Sequence, residues 1–151
     1  MPRIEVETLV QAPPAACYEL ALNVQTHLDS TRQTGERVLN GPDSGQLQLG
    51  DVVTWEARHF GLLQRLTVQI TAANPPHYFR DELVRGAFRT LRHDHYFEAI
   101  PGGTRMRDVF DFSSPGGIIG RWFERVFLTR YLEKFLRLRN EILKQQLERK
   151  Q

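Results

Sequence analysis

With 151 residues, the chain has the length of one ordinary domain, enough to bury roughly 70% of its unfolded surface in one core but not to build two. Apolar residues make up 40% of it and charged residues 25%, which excludes a disordered chain, and the lone Cys17 excludes an internal disulfide or a cluster of thiolate metal ligands. The formal charge of +2 is unevenly spread: residues 1–117 hold 11 Lys/Arg against 14 Asp/Glu, and residues 118–151 hold 9 against 4.

Residues 4–10 alternate apolar and polar side chains as a half-buried strand does, and they stop at Ala12-Pro13-Pro14, where proline opens a helix but cannot continue a strand. Residues 14–22 and 24–30 read as two short helices that seal one end of a sheet. The N-terminus lacks the apolar run of a signal peptide, and no segment reaches the ~20 apolar residues of a membrane span. A cytoplasmic protein with no integral membrane association is expected. Cys17 has no basic neighbour in sequence and reads as a buried, inert thiol.

From Gly35 onward, strands are expected at residues 36–39, 51–60, 62–72, 77–84, 88–100 and 104–112. They are separated by turn residues such as Asn40-Gly41-Pro42-Asp43, Asn74-Pro75-Pro76 and Pro101-Gly102-Gly103. Such short connections imply an antiparallel meander. After Pro115-Gly116-Gly117 the apolar period changes to that of a helix, from Ile119 through Trp122, Phe123, Val126, Phe127, Leu132, Phe135 and Leu136 to Leu147. Unbroken, this helix would be roughly 45 Å long, and its Trp122, Phe123, Val126 and Phe135 face is expected to cross the concave side of the sheet. Its basic residues suit an anionic partner, but Glu124, Glu133, Glu141 and Glu148 interrupt them, as on a solvated helix face, and no nucleic acid partner is expected.

Alternation along each strand assigns faces. Met106, Asp108, Phe110 and Phe112 share one; Leu91, His93, His95 and Phe97 another; Phe79, Asp81 and Leu83, and Trp55, Ala57 and His59, the remaining two. A turn centred on Pro101-Gly102 pairs residues whose numbers sum to 203, which sets His95 opposite Asp108 and His93 opposite Phe110. His59, Asp81, His93, His95 and Asp108 then point into an otherwise apolar interior and must find partners there, with Arg130 or Arg139 available from the helix. Three uses are open for them: a polar end to an apolar pocket, a hydrogen-bonded network that pins strand register, or a His95–Asp108 acid/base pair. The His-x-His spacing also matches metal ligands, but it is common on strands, and neither a metal nor a cofactor is expected.

Gly50-Asp51-Val52-Val53-Thr54-Trp55-Glu56-Ala57-Arg58-His59-Phe60-Gly61 resembles the central strand of a bacterial group of small SRPBCC proteins related to polyketide cyclases. The likeness continues through Pro76-His77-Tyr78-Phe79-Arg80-Asp81-Glu82, Gly86-Ala87-Phe88, His93-Asp94-His95-Tyr96-Phe97, Gly102-Gly103-Thr104, Pro115-Gly116-Gly117-Ile118-Ile119-Gly120, Tyr131-Leu132 and Arg139-Asn140. The resemblance implies an α+β helix-grip, START-like fold over residues 1–151. In that fold a curved antiparallel sheet wraps a long C-terminal helix around an internal cavity, on the order of a few hundred Å³ for a ligand site. It also implies a small apolar partner, lipid-, quinone- or polyketide-like, carried or sensed. Trp55, His59, Phe79, Asp81, His93, His95, Met106, Asp108, Phe110, Trp122, Phe123 and Val126 are its expected contacts. A cyclase or dehydratase using the His/Asp pair is the alternative, and an interaction protein using the basic helix is a third reading.

Overall fold

The computed structural model describes residues 2–149; Met1, Lys150 and Gln151, the extremes of the domain expected over 1–151, lie outside them. Strand β1 (Arg3–Val10) leads into helices α1 (Pro14–Leu22) and α2 (Val24–Ser30). Pro14 occupies the first turn of α1, and Asn23 caps α2, its side chain accepting from the Thr26 N–H at 2.9 Å. A single 3₁₀ turn (Arg32–Thr34) then delivers the chain to β2 (Arg37–Asn40). Strands β3 (Val52–His59), β4 (Leu62–Asn74), β5 (Tyr78–Gly86), β6 (Thr90–Ile100) and β7 (Gly103–Ser113) follow.

All seven strands form one antiparallel sheet in the order β1-β7-β6-β5-β4-β3-β2, a meander with the first strand added beside the last. The β6–β7 ladder runs unbroken from Ile100↔Gly103 to Thr90↔Ser113, so the expected register holds over its whole length. Curvature comes from elsewhere. The long strand β4 shifts register against β5 twice, between Thr67 and Val68 and between Ile70 and Ala72, and such bulges bend and twist a strand. At the β7–β1 contact, Gly103 lies so close to Val10 that an added Cβ would sit 2.0 Å from its carbonyl oxygen. No larger residue fits that approach.

The C-terminal helical segment departs from the unbroken rod expected of it. It comprises α3 (Gly117–Phe123), a π-helical stretch (Glu124–Leu128) and α4 (Thr129–Arg149). The buried row of α4 is Leu132, Leu136, Asn140, Leu143 and Leu147, with Leu128 one turn before it. Extended upstream at the same spacing, that row meets Arg125 and Arg121 rather than Trp122, Phe123 or Val126, and the extra residue of the π turn shifts the phase again. Ile119 is therefore 79% and Trp122 61% exposed, with Phe123 and Val126 also on the surface. The apolar pattern is two stripes out of phase, and only the second packs inward, against β1, α1 and α2.

Two clusters make up the interior. One joins Tyr18, Leu22, Val53, Trp55, Val68, Ile70, Phe79, Phe97, Met106 and Leu147, and includes Cys17, whose pKa burial raises as expected of an inert thiol. The other joins Ile4, Val6, Leu91, Phe110, Phe112, Leu128, Leu132 and Leu136. Leu66 packs against both. The opposite face of the sheet carries ion pairs: Asp111 with Arg3 and Arg92, Asp94 with Arg80, and Glu56 with Arg37 and Arg65.

Candidate functional site

Between sheet and helix lies a cavity of about 170 Å³. It is slightly larger than the ~150 Å³ of an engineered apolar cavity that accepts benzene, and smaller than the few hundred Å³ expected. Trp55, Leu66, Val68 and Ile70 form its floor on β3 and β4, Phe79, Leu91 and Phe110 continue it, and Leu128, Leu132, Phe135 and Leu136 close it from the helix. Strand pairing explains its position. The β5–β6 ladder ends at Glu82↔Arg92, while β5 runs on to Gly86 beside β4 alone. The two strands part, and Phe88 on the connecting turn joins the wall at the gap.

One wall of this apolar space is polar. His93 Nε2 donates to Asp108 Oδ1 at 2.7 Å, and His95 Nε2 donates to Asp81 Oδ2 at 2.8 Å while its Nδ1 lies 3.3 Å from Asp108 Oδ1. From α4, Arg139 donates to Asp108 Oδ1 at 3.2 Å and Asn140 Nδ2 to Asp108 Oδ2 at 2.6 Å. The register sets His95 opposite Asp108 and His93 opposite both Phe110 and Asp81, yet the shortest bonds run diagonally, two residues along the ladder. Such diagonal neighbours are within reach of long side chains on one face. The two imidazoles stack with centroids 3.7 Å apart, and His95 stacks on Phe79 at 4.0 Å.

These neighbours separate the two histidines electrostatically. Burial pushes the His95 pKa down, but the hydrogen bonds to Asp108 and Asp81 outweigh it and raise the value above 6.5. Burial and the adjacent His95 charge lower that of His93, against the pull of Asp108. The two carboxylates thus favour the protonated form of His95, and burial favours the neutral form of His93, in which Nε2 donates to Asp108 and Nδ1 is left as an acceptor. Burial alone would raise both carboxyls; the histidines and Arg139 instead hold Asp81 below the usual range and Asp108 well below it. Asp81, His93 and His95 could bring one donor atom each within 4.8 Å of one another, but a metal ligand must be a neutral imidazole with a free ring nitrogen, and the Nε2 atoms of His93 and His95 are already engaged by Asp108 and Asp81.

Sequence reasoning named His59 on the cavity wall but missed its partner Tyr131 and the neighbouring His27 and Glu36. His27 on α2 lies 3.0 Å from Glu36, and His59 Nδ1 is hydrogen-bonded to the Tyr131 hydroxyl at 2.5 Å. The His27 ring also packs at a tilt against Trp55, with centroids 4.1 Å apart. Burial pushes the Glu36 pKa up, but the His27 ring beside it brings it below its ordinary value, and burial lowers that of His59. Phe60 was missed too. The two-residue β3–β4 turn puts both Phe60 and Gly61 at positive φ, 53° and 74°, as a type I′ hairpin requires, and a phenylalanine there is strained. Its ring rests 4.5 Å from Tyr131 and joins the wall at the rim.

Of the residues singled out by sequence, Trp55, His59, Phe79, Asp81, His93, His95 and Phe110 line the cavity. Met106 does not: it is buried in the cluster with Phe97 and Leu147. Asp108 stands one layer behind the wall, buried against the histidine and the Asn140 side chain that it binds. Trp122, Phe123 and Val126 face solvent for the phase reason given above. Arg139, not Arg130, is the helix-borne partner.

The family described as "Polyketide cyclase / dehydrase and lipid transport" matches residues 1–148. The chain belongs to this family. Members of this polyketide cyclase and lipid-transport family share a fold built to hold a hydrophobic ligand, and solved structures agree on the architecture. Protein TTHA0849 from Thermus thermophilus superposes with a TM-score of 0.74 at 17% identity, covering 94% of this chain and 97% of its own. Ginseng major latex-like protein 151 from Panax ginseng gives 0.70 at 16% identity, with 97% of each chain covered. The KanY protein gives 0.74 at 21% identity over 98% of this chain and 99% of its own. At these identities the likeness establishes the helix-grip fold alone. No curated protein matches the sequence. No helix of the described residues is long and apolar enough to cross a membrane.

Proposed function

We propose that the protein binds a small ring-bearing hydrophobic molecule with one polar substituent, of the quinone or polyketide type, and carries or senses it. The observation that carries this reading is a buried array of carboxylate, imidazole and guanidinium groups set into one wall of an apolar cavity. Trp55, Phe79 and Phe110 offer flat apolar surface to a ring, while His93, His95, Asp81 and Arg139 offer donors and acceptors to a hydroxyl or carbonyl. Asp108 acts as a positioning residue, holding both histidines and Arg139 in place. His59 with Tyr131 serves the far side of the same ligand. At about 170 Å³ the space suits one or two rings rather than a whole lipid.

A catalytic version is favoured by one feature. His93 is buried, neutral and oriented by a carboxylate, which is the arrangement of a general base and its orienting partner in dehydration or cyclisation chemistry. Binding and catalysis share the cavity, so binding is tested first. Titration of the protein with 2-naphthol and with naphthalene, followed by amide NMR, should show saturable binding at the cavity, tighter for the naphthol. Leu132→Trp, which fills the space from the helix, should abolish both. His93→Phe should remove the preference for the hydroxyl while sparing naphthalene. Absence of saturable binding, or a preference unchanged in His93→Phe, contradicts the assignment.

A further inference from the structure

Beside the cavity, the surface carries an apolar stripe that the fold itself does not use. Ile118, Ile119, Trp122, Phe123, Val126 and Phe127, all on α3 and the π-helical stretch, are 37% to 79% exposed. The tip of the β3–β4 hairpin extends the patch, since Leu62 and Leu63 are exposed and Phe60 touches Phe123 with ring centroids 5.9 Å apart. Contiguous apolar surface of this extent is rare on a protein that works alone in water.

We propose that this patch docks the protein on the surface of an anionic phospholipid bilayer. Charge is the first reason. Residues 58–63 and 117–130 contain four arginines, Arg58, Arg121, Arg125 and Arg130, against the single acidic residue Glu124, and all four arginines are exposed. Arginine beside tryptophan, phenylalanine and isoleucine on a short helical segment is the composition of an interfacial element, whose apolar side enters the acyl boundary while its cations meet lipid phosphates. A second copy of the chain fits less well. In a two-fold dimer the patch would face itself and bring the arginines of both copies together.

Continuity with the cavity is the second reason. Phe60 belongs to both patch and cavity wall, and the chain runs from the exposed stripe through Leu128 to Tyr131, both cavity-lining. An apolar ligand leaving a bilayer at this point would reach the cavity without crossing water. Docking needs no ligand, so vesicle binding without any naphthol binding would uphold this inference and defeat the proposed function.

Flotation with vesicles of phosphatidylcholine alone, and of phosphatidylcholine mixed equally with phosphatidylglycerol, tests it. The wild-type protein should float with the mixed vesicles, less so as salt rises, with the Trp122 emission shifting to the blue. Replacing Ile119 and Trp122 together by serine should weaken binding at least about tenfold with no loss of melting temperature. Replacing Arg121, Arg125 and Arg130 by glutamine should weaken it on the order of a hundredfold. The inference is overturned if the wild-type protein stays in the soluble fraction with mixed vesicles or if the serine variant floats equally well. It is equally overturned if sedimentation velocity finds a concentration-dependent dimer that the serine variant abolishes, which would make the patch a self-interface.

Discussion

Asp108→Ala should cost more stability than any change to the charged groups on the outer face of the sheet. Asp108 accepts from His93, Arg139 and Asn140 and lies 3.3 Å from His95 Nδ1, and so ties β6 and β7 to α4. Without it, His95 keeps Asp81 at 2.8 Å, but His93 Nε2 loses its acceptor, and Arg139, with 11% of its side chain exposed, keeps only the neutral Asn140 side chain. Breaking a buried charged array in this way costs about 3–5 kcal/mol, which for a domain of this size lowers the melting temperature by on the order of 10–15 °C. Asp111→Ala is the control: its partners Arg3 and Arg92 are 56% and 42% exposed, and pairs of that kind contribute about 1 kcal/mol or less. Urea denaturation of both variants at neutral pH measures the contrast. The Asp108 carboxyl is held well below its ordinary pKa of 3.8, so its contribution is complete above that pH and is lost as the pH falls through the depressed value. The gap between wild type and Asp108→Ala should narrow in acid accordingly. An Asp108→Ala cost no larger than that of Asp111→Ala would refute the role of this carboxylate as the junction of sheet and helix.

His95 has a pKa raised above 6.5, so its pairing contributes stability that is present below that pH and lost as the pH rises through the raised value. In a pH series of urea melts, the cost of His95→Gln should therefore be largest on the acid side and shrink toward the alkaline side. Ile119→Asp, at a position 79% exposed, should change stability by no more than about 0.5 kcal/mol, whereas Leu136→Asp in the buried row should prevent folding; thermal melts distinguish the two. Tyr131→Phe removes the hydroxyl bonded to His59 and should cost about 1 kcal/mol, with no change in the rest of the cavity by NMR.

The parts of this structure that follow a local period are readable from the chain alone. Strand alternation and a tight turn determine the His95–Asp108 register, because a short connection leaves no freedom for a slip. The same logic places Trp55, Phe79, Asp81, His93 and His95 inward. What alternation does not specify is depth or reach. Asp108 and His93 share the inward face of the sheet, but only the folded structure shows Asp108 behind the wall and the bonds running along diagonals. The helix failed for a related reason: Trp122 and Leu132 both fit a broad helical stripe, and the π turn that separates them leaves no mark in an apolar pattern. The pairing of His59 with Tyr131 joins segments 72 residues apart, and that of His27 with Glu36 joins a helix to the irregular segment before β2, where neither period nor spacing speaks. Phe60 was legible in principle, since a two-residue hairpin at Phe60-Gly61 demands positive φ at both positions.

Native mass spectrometry of the protein purified from its own host, compared with Leu132→Trp prepared in the same way, tests the central claim most directly. A cavity that holds a small hydrophobic molecule predicts a discrete added mass on the wild-type protein, released on denaturation and absent from the variant. Recovery of the wild-type protein at its bare polypeptide mass, with no small molecule released, or the same added mass on both proteins, would contradict it.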